Sequence, residues 1–115
     1  MSARHRSNLA TARRLHAPIF AALGDETRLS LVAKLCAGSP QSITQLTAGS
    51  KLTRQAISKH LRVLEEAGLV ASARLGRESQ YEFNRKPIDD LKSYLEDVSR
   101  QWDDALGRLR SFVEG

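Results

Sequence analysis

The side chains with the most chemical character recur at helical spacing between residues 53 and 62. One side of a helical wheel there carries Gln55, Ser58, Lys59 and Arg62. Arg and Lys can pair bidentately with guanine, and Gln can pair with adenine, in the major groove of DNA. Thr53 and Arg54 stand at the predicted N-terminus of this helix, where side chains and free N–H groups can meet bases or phosphates.

The other side of the same helix is apolar. Ile57, Leu61 and Leu64 fall in one narrow sector, and Ala56 and His60 lie at its borders. A helix that reads a major groove needs a dry face that anchors it and a polar face that enters the groove. His60 is interpreted as packing against the domain or facing a phosphate.

A predicted hairpin follows this helix directly. Residues 70–75 and 80–84 have the pattern of short strands, and residues 76–79 form the loop between them. Arg77 lies at the predicted tip and Arg74 on the first strand. A basic tip is often only a solvated turn, but its position after a basic helix favours contact with a minor groove or with phosphates.

The elements that must position these side chains are mostly helical. Apolar spacing and end signals predict helices over residues 8–23, 26–37, 42–48, 53–67 and 87–113. Asp25, Ser42 and Thr53 are the expected N-caps, and Gly68 is the expected stop of the fourth helix. Pro18 predicts a kink or break in the first helix. The second helix is apolar on several sides, including Leu29 and Cys36, which indicates a central, mostly buried helix.

The last helix carries an apolar seam at alternating three- and four-residue steps. Its members are Ile88, Leu91, Leu95, Val98, Trp102, Ala105, Leu109 and Phe112. Glu96 with Arg100 and Asp104 with Arg108 are supporting ion pairs at four-residue spacing. The seam could pack on the chain's own core, but a chain of this size has little core left to cover it. Pairing with a second copy through the terminal helices is the preferred interpretation.

Length, composition and charge indicate what kind of protein this is. The chain has 115 residues, which corresponds to one domain with residues 42–67 as helix-turn-helix, 70–84 as wing and 1–7 as a flexible basic tail. Residues 1–86 hold 14 Lys and Arg against 6 Asp and Glu, whereas residues 87–115 hold 4 against 7. A basic body points to a polyanion partner. No apolar run could span a bilayer and Cys36 is the only cysteine, so a cytoplasmic protein is expected.

Two segments carry a family resemblance. Residues 20–29 (FAALGDETRL) and 54–70 (RQAISKHLRVLEEAGLV) resemble the ArsR-type winged-helix repressors, and the resemblance extends over residues 15–85. It implies a mostly α fold with a small β-hairpin, and a dimer that binds an inverted-repeat operator and represses transcription until an effector intervenes. Ser50 and Lys51 depart from the family at the turn, where Leu and Gly are common. Lys51 is therefore expected to need a left-handed backbone.

Many proteins of this type sense metals, and the motifs for that are missing. Ser42 and Thr44 stand where a Cys-x-Cys pair binds soft ions in the family, and the last helix has no histidine. The remaining soft ligands, His5, His16, Cys36 and His60, are scattered, and Cys36 is interpreted as a small core residue. No metal, cofactor or active site is expected, and the sequence assigns no effector.

Two alternatives stay open. One is a winged-helix module that docks protein rather than DNA, in which Lys59 and Arg62 would be dispensable. The other is a sensor with an unfamiliar metal or thiol site built on Cys36.

Overall fold

A computed structural model describes the backbone of residues 3–115 and the side chains of residues 9–115. Its elements in chain order are α1 (Ala3–Leu23), α2 (Glu26–Cys36), β1 (Gln41–Ser42), α3 (Ile43–Thr47), α4 (Arg54–Glu66), β2 (Val70–Leu75), β3 (Glu78–Phe83) and α5 (Lys86–Glu114). Five helices and a β-hairpin in this order form a winged helix-turn-helix, as predicted. None of the described helices combines the length and the apolar character that a membrane span requires.

The first helix is longer than its sequence pattern predicts. α1 begins at Ala3 rather than at residue 8, and it continues through Pro18 without a break, although proline removes one hydrogen bond of the helix interior. The flexible basic tail over residues 1–7 stays a prediction, and its first two residues lie outside the described part.

The second helix begins at the predicted cap but is less buried than predicted. The Asp25 carboxylate accepts a hydrogen bond from the Arg28 backbone N–H at 3.0 Å. Leu31 and Leu35 are buried in the core, whereas Leu29 is 51% exposed and Cys36 is also exposed. The interpretations of α2 as mostly buried and of Cys36 as a core residue are therefore wrong. Only one face of α2 packs on the rest of the chain.

The third helix and the turn after it are fixed by local hydrogen bonds. Ser42 Oγ accepts from the Gln45 backbone N–H at 3.2 Å, and Gln45 Oε1 accepts from the Ser42 N–H at 2.8 Å, which completes a capping box. The expected left-handed Lys51 is wrong, because positive φ angles occur only at glycines in the described residues, and Gly49 (φ 77°) provides the reversal instead.

The sheet has three strands in the order β1-β3-β2. β2 and β3 are antiparallel, and Leu75 pairs with Glu78 across a two-residue turn of Gly76 and Arg77. Gly76 has a φ of 66°, which suits the first position of a tight hairpin turn. The wing therefore has a shorter loop than predicted. β1 was not predicted, since its pairing of Gln41 with Tyr81 depends on the tertiary fold.

The core lies where α2, α3, α4 and the start of the wing meet. Its most buried side chains, each at most 2% exposed, are Leu31, Leu46, Ile57, Leu61, Leu64 and Leu69. α5 contacts α1, with the His16 and Tyr94 ring centroids 5.1 Å apart. At 29 residues, α5 is about 43 Å long, so most of it extends past the core and contributes to the 67 Å long axis of the molecule.

Candidate nucleic-acid interface

The α4 helix is anchored by one face and exposed on the other. Ile57, Leu61 and Leu64 are 1%, 0% and 0% exposed, respectively. Thr53 Oγ1 accepts from the Ala56 backbone N–H at 3.1 Å and starts the helix at the predicted residue. Packing and capping therefore fix the position of the polar face.

That polar face presents the side chains expected from the sequence. Gln55, Lys59 and Arg62 are exposed, and Ser58 is half-buried. Ile43 on α3 joins Thr53, Arg54, Gln55 and Ser58 around a shallow open depression at the N-terminal end of α4. The structure thus brings the predicted contact residues of α4 together on one surface, with hydrogen-bond donors, acceptors and the three positive charges of Arg54, Lys59 and Arg62.

The same surface contains two polar residues that the sequence reading did not select. Thr44 on α3 donates a hydrogen bond to Glu78 Oε1 at 3.0 Å, and it accepts one from Arg54 Nη1 at 3.4 Å. These contacts join the helix-turn-helix to the first residue of β3. Thr44 and Glu78 lie 34 residues apart in the sequence, so no local pattern could have predicted their contact.

The wing is fixed to α4 at its base and is free at its tip. Ser72 donates to Glu65 Oε1 at 2.8 Å, and Asn84 Nδ2 donates to the Gly68 carbonyl at 3.0 Å. Arg74 and Arg77 are both exposed, with Arg77 in the tight turn. The wing therefore presents the two predicted basic side chains away from the core.

His60 is placed differently from the other predicted contacts. Its side chain is 24% exposed, and its Nδ1 lies 3.1 Å from Arg28 Nη1 and 3.9 Å from Asp25 Oδ2. One edge of the ring is therefore turned toward the start of α2. Arg28 was missed by sequence reasoning, although it is the one basic residue in the segment 20–29.

The contribution of the Asp25 cap to stability depends on pH. The backbone hydrogen bond from Arg28 holds the pKa of the Asp25 carboxyl below its ordinary value of 3.8, with burial opposing and the Arg28 charge assisting. A lowered folded pKa contributes stability that is present above the unfolded pKa and is lost as the pH falls through the folded pKa.

We expect Asp25→Ala to lower the Tm at pH 7, because α2 loses its cap, and the deficit to shrink as the pH falls below 3.8. Thermal unfolding followed by circular dichroism between pH 7 and pH 3 measures this deficit. Glu26→Ala, at the exposed next residue, is the matched control. A deficit that stays constant over the whole pH range would contradict the ionised cap.

The described part of the chain contains no group of three or more His, Cys, Asp and Glu side chains that could hold a metal ion. Ser42 and Thr44 are engaged in the capping box and in the contact with Glu78. The side chain of His5 lies outside the described residues.

The seam of α5 is largely uncovered in the single chain. Its exposed members, with their exposed fractions, are Leu95 (50%), Val98 (38%), Trp102 (64%), Leu109 (57%) and Phe112 (85%). Leu91 differs from them, because it is 4% exposed and therefore has little side chain left for a partner. Arg100 pairs with Asp97 and not with the predicted Glu96.

Comparison with known proteins gives consistent matches. The bacterial regulatory protein family arsR matches residues 25–72, which contain α2, α3 and α4. The HTH-type transcriptional regulator YuzN of Bacillus subtilis is 41% identical over 85 residues, covering 68% of this chain and 92% of YuzN. The arsenical resistance operon repressor of B. subtilis is 31% identical over 74 residues, covering 64% of this chain and 70% of the repressor.

A solved structure extends the similarity to the fold. The ArsR-like transcriptional regulator from Rhodococcus sp. RHA1 superposes with a TM-score of 0.75 at 35% sequence identity, covering 86% of this chain and 92% of that chain.

Proposed function

Because the chain is a DNA-binding transcriptional regulator of the bacterial ArsR family, we propose that it is a dimeric repressor that binds an inverted-repeat operator without sensing a metal. The observation that carries this proposal is α4, whose buried stripe holds an exposed face of Gln55, Lys59 and Arg62. The protein acts on chromosomal DNA in the cytoplasm.

The contacts divide between bases and backbone. Gln55, Ser58, Lys59 and Arg62 enter the major groove from α4, where their donors and acceptors match base edges and phosphates. Thr53 and Arg54 meet the DNA at the start of α4. From the wing, Arg74 and Arg77 reach an adjacent minor groove or its phosphates.

Repression is supported by a relative. The arsenical resistance operon repressor of B. subtilis shares 31% identity with this chain over 74 residues. We place the operator near the protein's own promoter, where bound protein blocks transcription until an effector releases it.

The dimer is supported by the uncovered face of α5. Leu95, Trp102 and Leu109 are each at least half exposed, along a helix that the single chain covers only near its start. A second copy related by two-fold symmetry covers this face isologously. Two α4 helices then reach successive major grooves, about 34 Å apart, which requires an inverted repeat.

Metal independence is supported by the residues at the two positions where metal-sensing family members carry a Cys-x-Cys pair. Ser42 and Thr44 offer hydroxyl groups in place of thiolates, and both hydroxyls already make hydrogen bonds within the chain. Cys36 is exposed at the end of α2 and lies in no cluster of ligands among the described residues.

The first test is fluorescence anisotropy of the protein with the DNA upstream of its own gene and with a scrambled duplex, at about 150 mM salt. We expect at least about 10³-fold tighter binding to the upstream DNA. Equal weak binding to both duplexes would argue against an autoregulatory operator. No binding to either at low salt would favour a module that docks protein.

Single alanine variants then separate base reading from phosphate contact. Gln55→Ala is expected to cost roughly 1–3 kcal/mol on the operator and to relax specificity. Arg77→Ala is expected to weaken all sequences about equally and to flatten the salt dependence. The control is Arg110→Ala, which removes an exposed charge near the end of α5. Equal losses on operator and scrambled DNA for Gln55→Ala would refute its role in base reading.

A further inference from the structure

Arg28 joins three elements through one side chain. Its Nε donates to the Ala22 carbonyl at 2.6 Å and its Nη2 to the Ala21 carbonyl at 3.4 Å, both in the last turn of α1. Carbonyls in the last turn of a helix lack the usual partner four residues on, and the Ala21 carbonyl also accepts from the Gly24 backbone N–H at 3.2 Å. The Nη1 of the same guanidinium lies 3.1 Å from His60 Nδ1, at the middle of α4. Arg28 therefore caps the end of α1 and contacts α4 with the same side chain.

The contact with Arg28 determines the tautomer of His60. A guanidinium has only donors, so Nδ1 of His60 must supply the lone pair that accepts its hydrogen. The neutral ring then carries its hydrogen on Nε2. Nε2 of His60 makes no hydrogen bond among the described residues. If it were also buried, it would be a buried side-chain nitrogen without a partner, and among the described residues the only such nitrogen or oxygen is Nδ1 of His16. The Nε2–H group of His60 is consequently open to solvent.

We infer that Arg28 is a positioning residue of the DNA-binding surface, which holds His60 with its Nε2–H group directed outward to donate to a DNA phosphate. The inference rests on the proposed function and deepens it. His60 follows Lys59 at the border of the exposed face of α4, where an N–H donor can meet the backbone of the duplex. Because Arg28 also holds α1, any displacement of the end of α1 reaches this donor through a single side chain.

The tautomer is measured without DNA. In a long-range ¹H–¹⁵N correlation spectrum at pH 8, His60 of the wild type should show a protonated Nε2 and a bare Nδ1, with well-separated nitrogen shifts. Loss of the peaks in His60→Gln assigns them among the three histidines. In Arg28→Met, which keeps the length of the side chain but not its donors, the two shifts should move toward each other. Unchanged shifts in Arg28→Met would overturn the inference.

Two substitutions of His60 test the roles of its two ring nitrogens separately. His60→Asn keeps an acceptor near the Nδ1 position and loses the Nε2 donor, whereas His60→Gln keeps a donor near the Nε2 position. We expect His60→Asn and Arg28→Met to weaken binding to operator and scrambled DNA by roughly three- to tenfold, as for one lost hydrogen bond. His60→Gln should weaken binding less than His60→Asn, because it keeps the donor although it loses the ring nitrogen that accepts from Arg28.

Non-additivity distinguishes positioning from a structural role. Arg28→Met should weaken binding much less when His60 is already alanine, since the two residues act through one contact. Full additivity would overturn the inference. If Arg28→Met does not fold, the comparison of His60→Asn with His60→Gln decides, and equal losses in those two overturn it. Failure of the wild type to prefer its operator would refute the proposed function, while the shifts in Arg28→Met still test the contact.

Discussion

Trp102→Asp is expected to convert the protein to a monomer and to reduce operator affinity by about 10²-fold or more. Trp102 is 64% exposed in the single chain, and a tryptophan buries about 150–250 Å² when it is covered. An aspartate at the same place would bring a charge into an apolar interface. Each monomer then holds one half-site, and the gain from linking two half-sites, about 10²- to 10⁴-fold, is lost.

Sedimentation velocity at about 10 μM protein, with anisotropy on a full operator and on a half-site, measures both consequences. The matched control is Ser111→Asp, because Ser111 is exposed and lies on the opposite side of α5 from the seam. The control should remain a dimer with unchanged affinity. A dimeric Trp102→Asp, or a monomeric variant with full operator affinity, would contradict the proposed assembly.

Leu61→Ala is expected to destabilise the folded chain by about 2–5 kcal/mol, because it leaves a cavity in a fully buried site. Leu61 is 0% exposed at the centre of the stripe that holds α4 on the core. A small domain has only about 5–15 kcal/mol of stability in total, so this loss lowers the Tm by many degrees. Operator binding should fail at 37 °C and return on cooling, since the polar face of α4 is chemically unchanged.

Urea unfolding at fixed protomer concentration measures the loss, because the stability of a dimer depends on concentration. Val63→Ala, on the same helix but 37% exposed, is the matched control and should cost well under half as much. Similar losses for the two variants would show that the buried stripe of α4 is not what holds the helix.

Features determined by neighbouring residues were predictable from the sequence. The caps of α2, α3 and α4 at Asp25, Ser42 and Thr53 are found where their side chains and spacing indicated. The buried stripe of α4 follows from the 3.6-residue period alone. The start of the wing at Val70 follows from the stop at Gly68, which has a φ of 77°.

Features determined by distant residues were not predictable. The contact of Arg28 with His60 spans 32 residues, and a basic side chain gives no sign of which carbonyls and rings it will reach. Hydrophobic pattern also does not say what covers an apolar side chain. Leu29 and Leu91 have the same character in the sequence, but the first is 51% exposed and the second is 4% exposed.

The reach of α5 beyond the core has a consequence for dose response. In the proposed dimer, two copies must pair through α5 before both half-sites of an operator can be held. The amount of that dimer would rise roughly with the square of the protomer concentration when the protein is scarce. Occupancy of the proposed operator is therefore expected to rise more steeply with protein concentration than it would for a monomer.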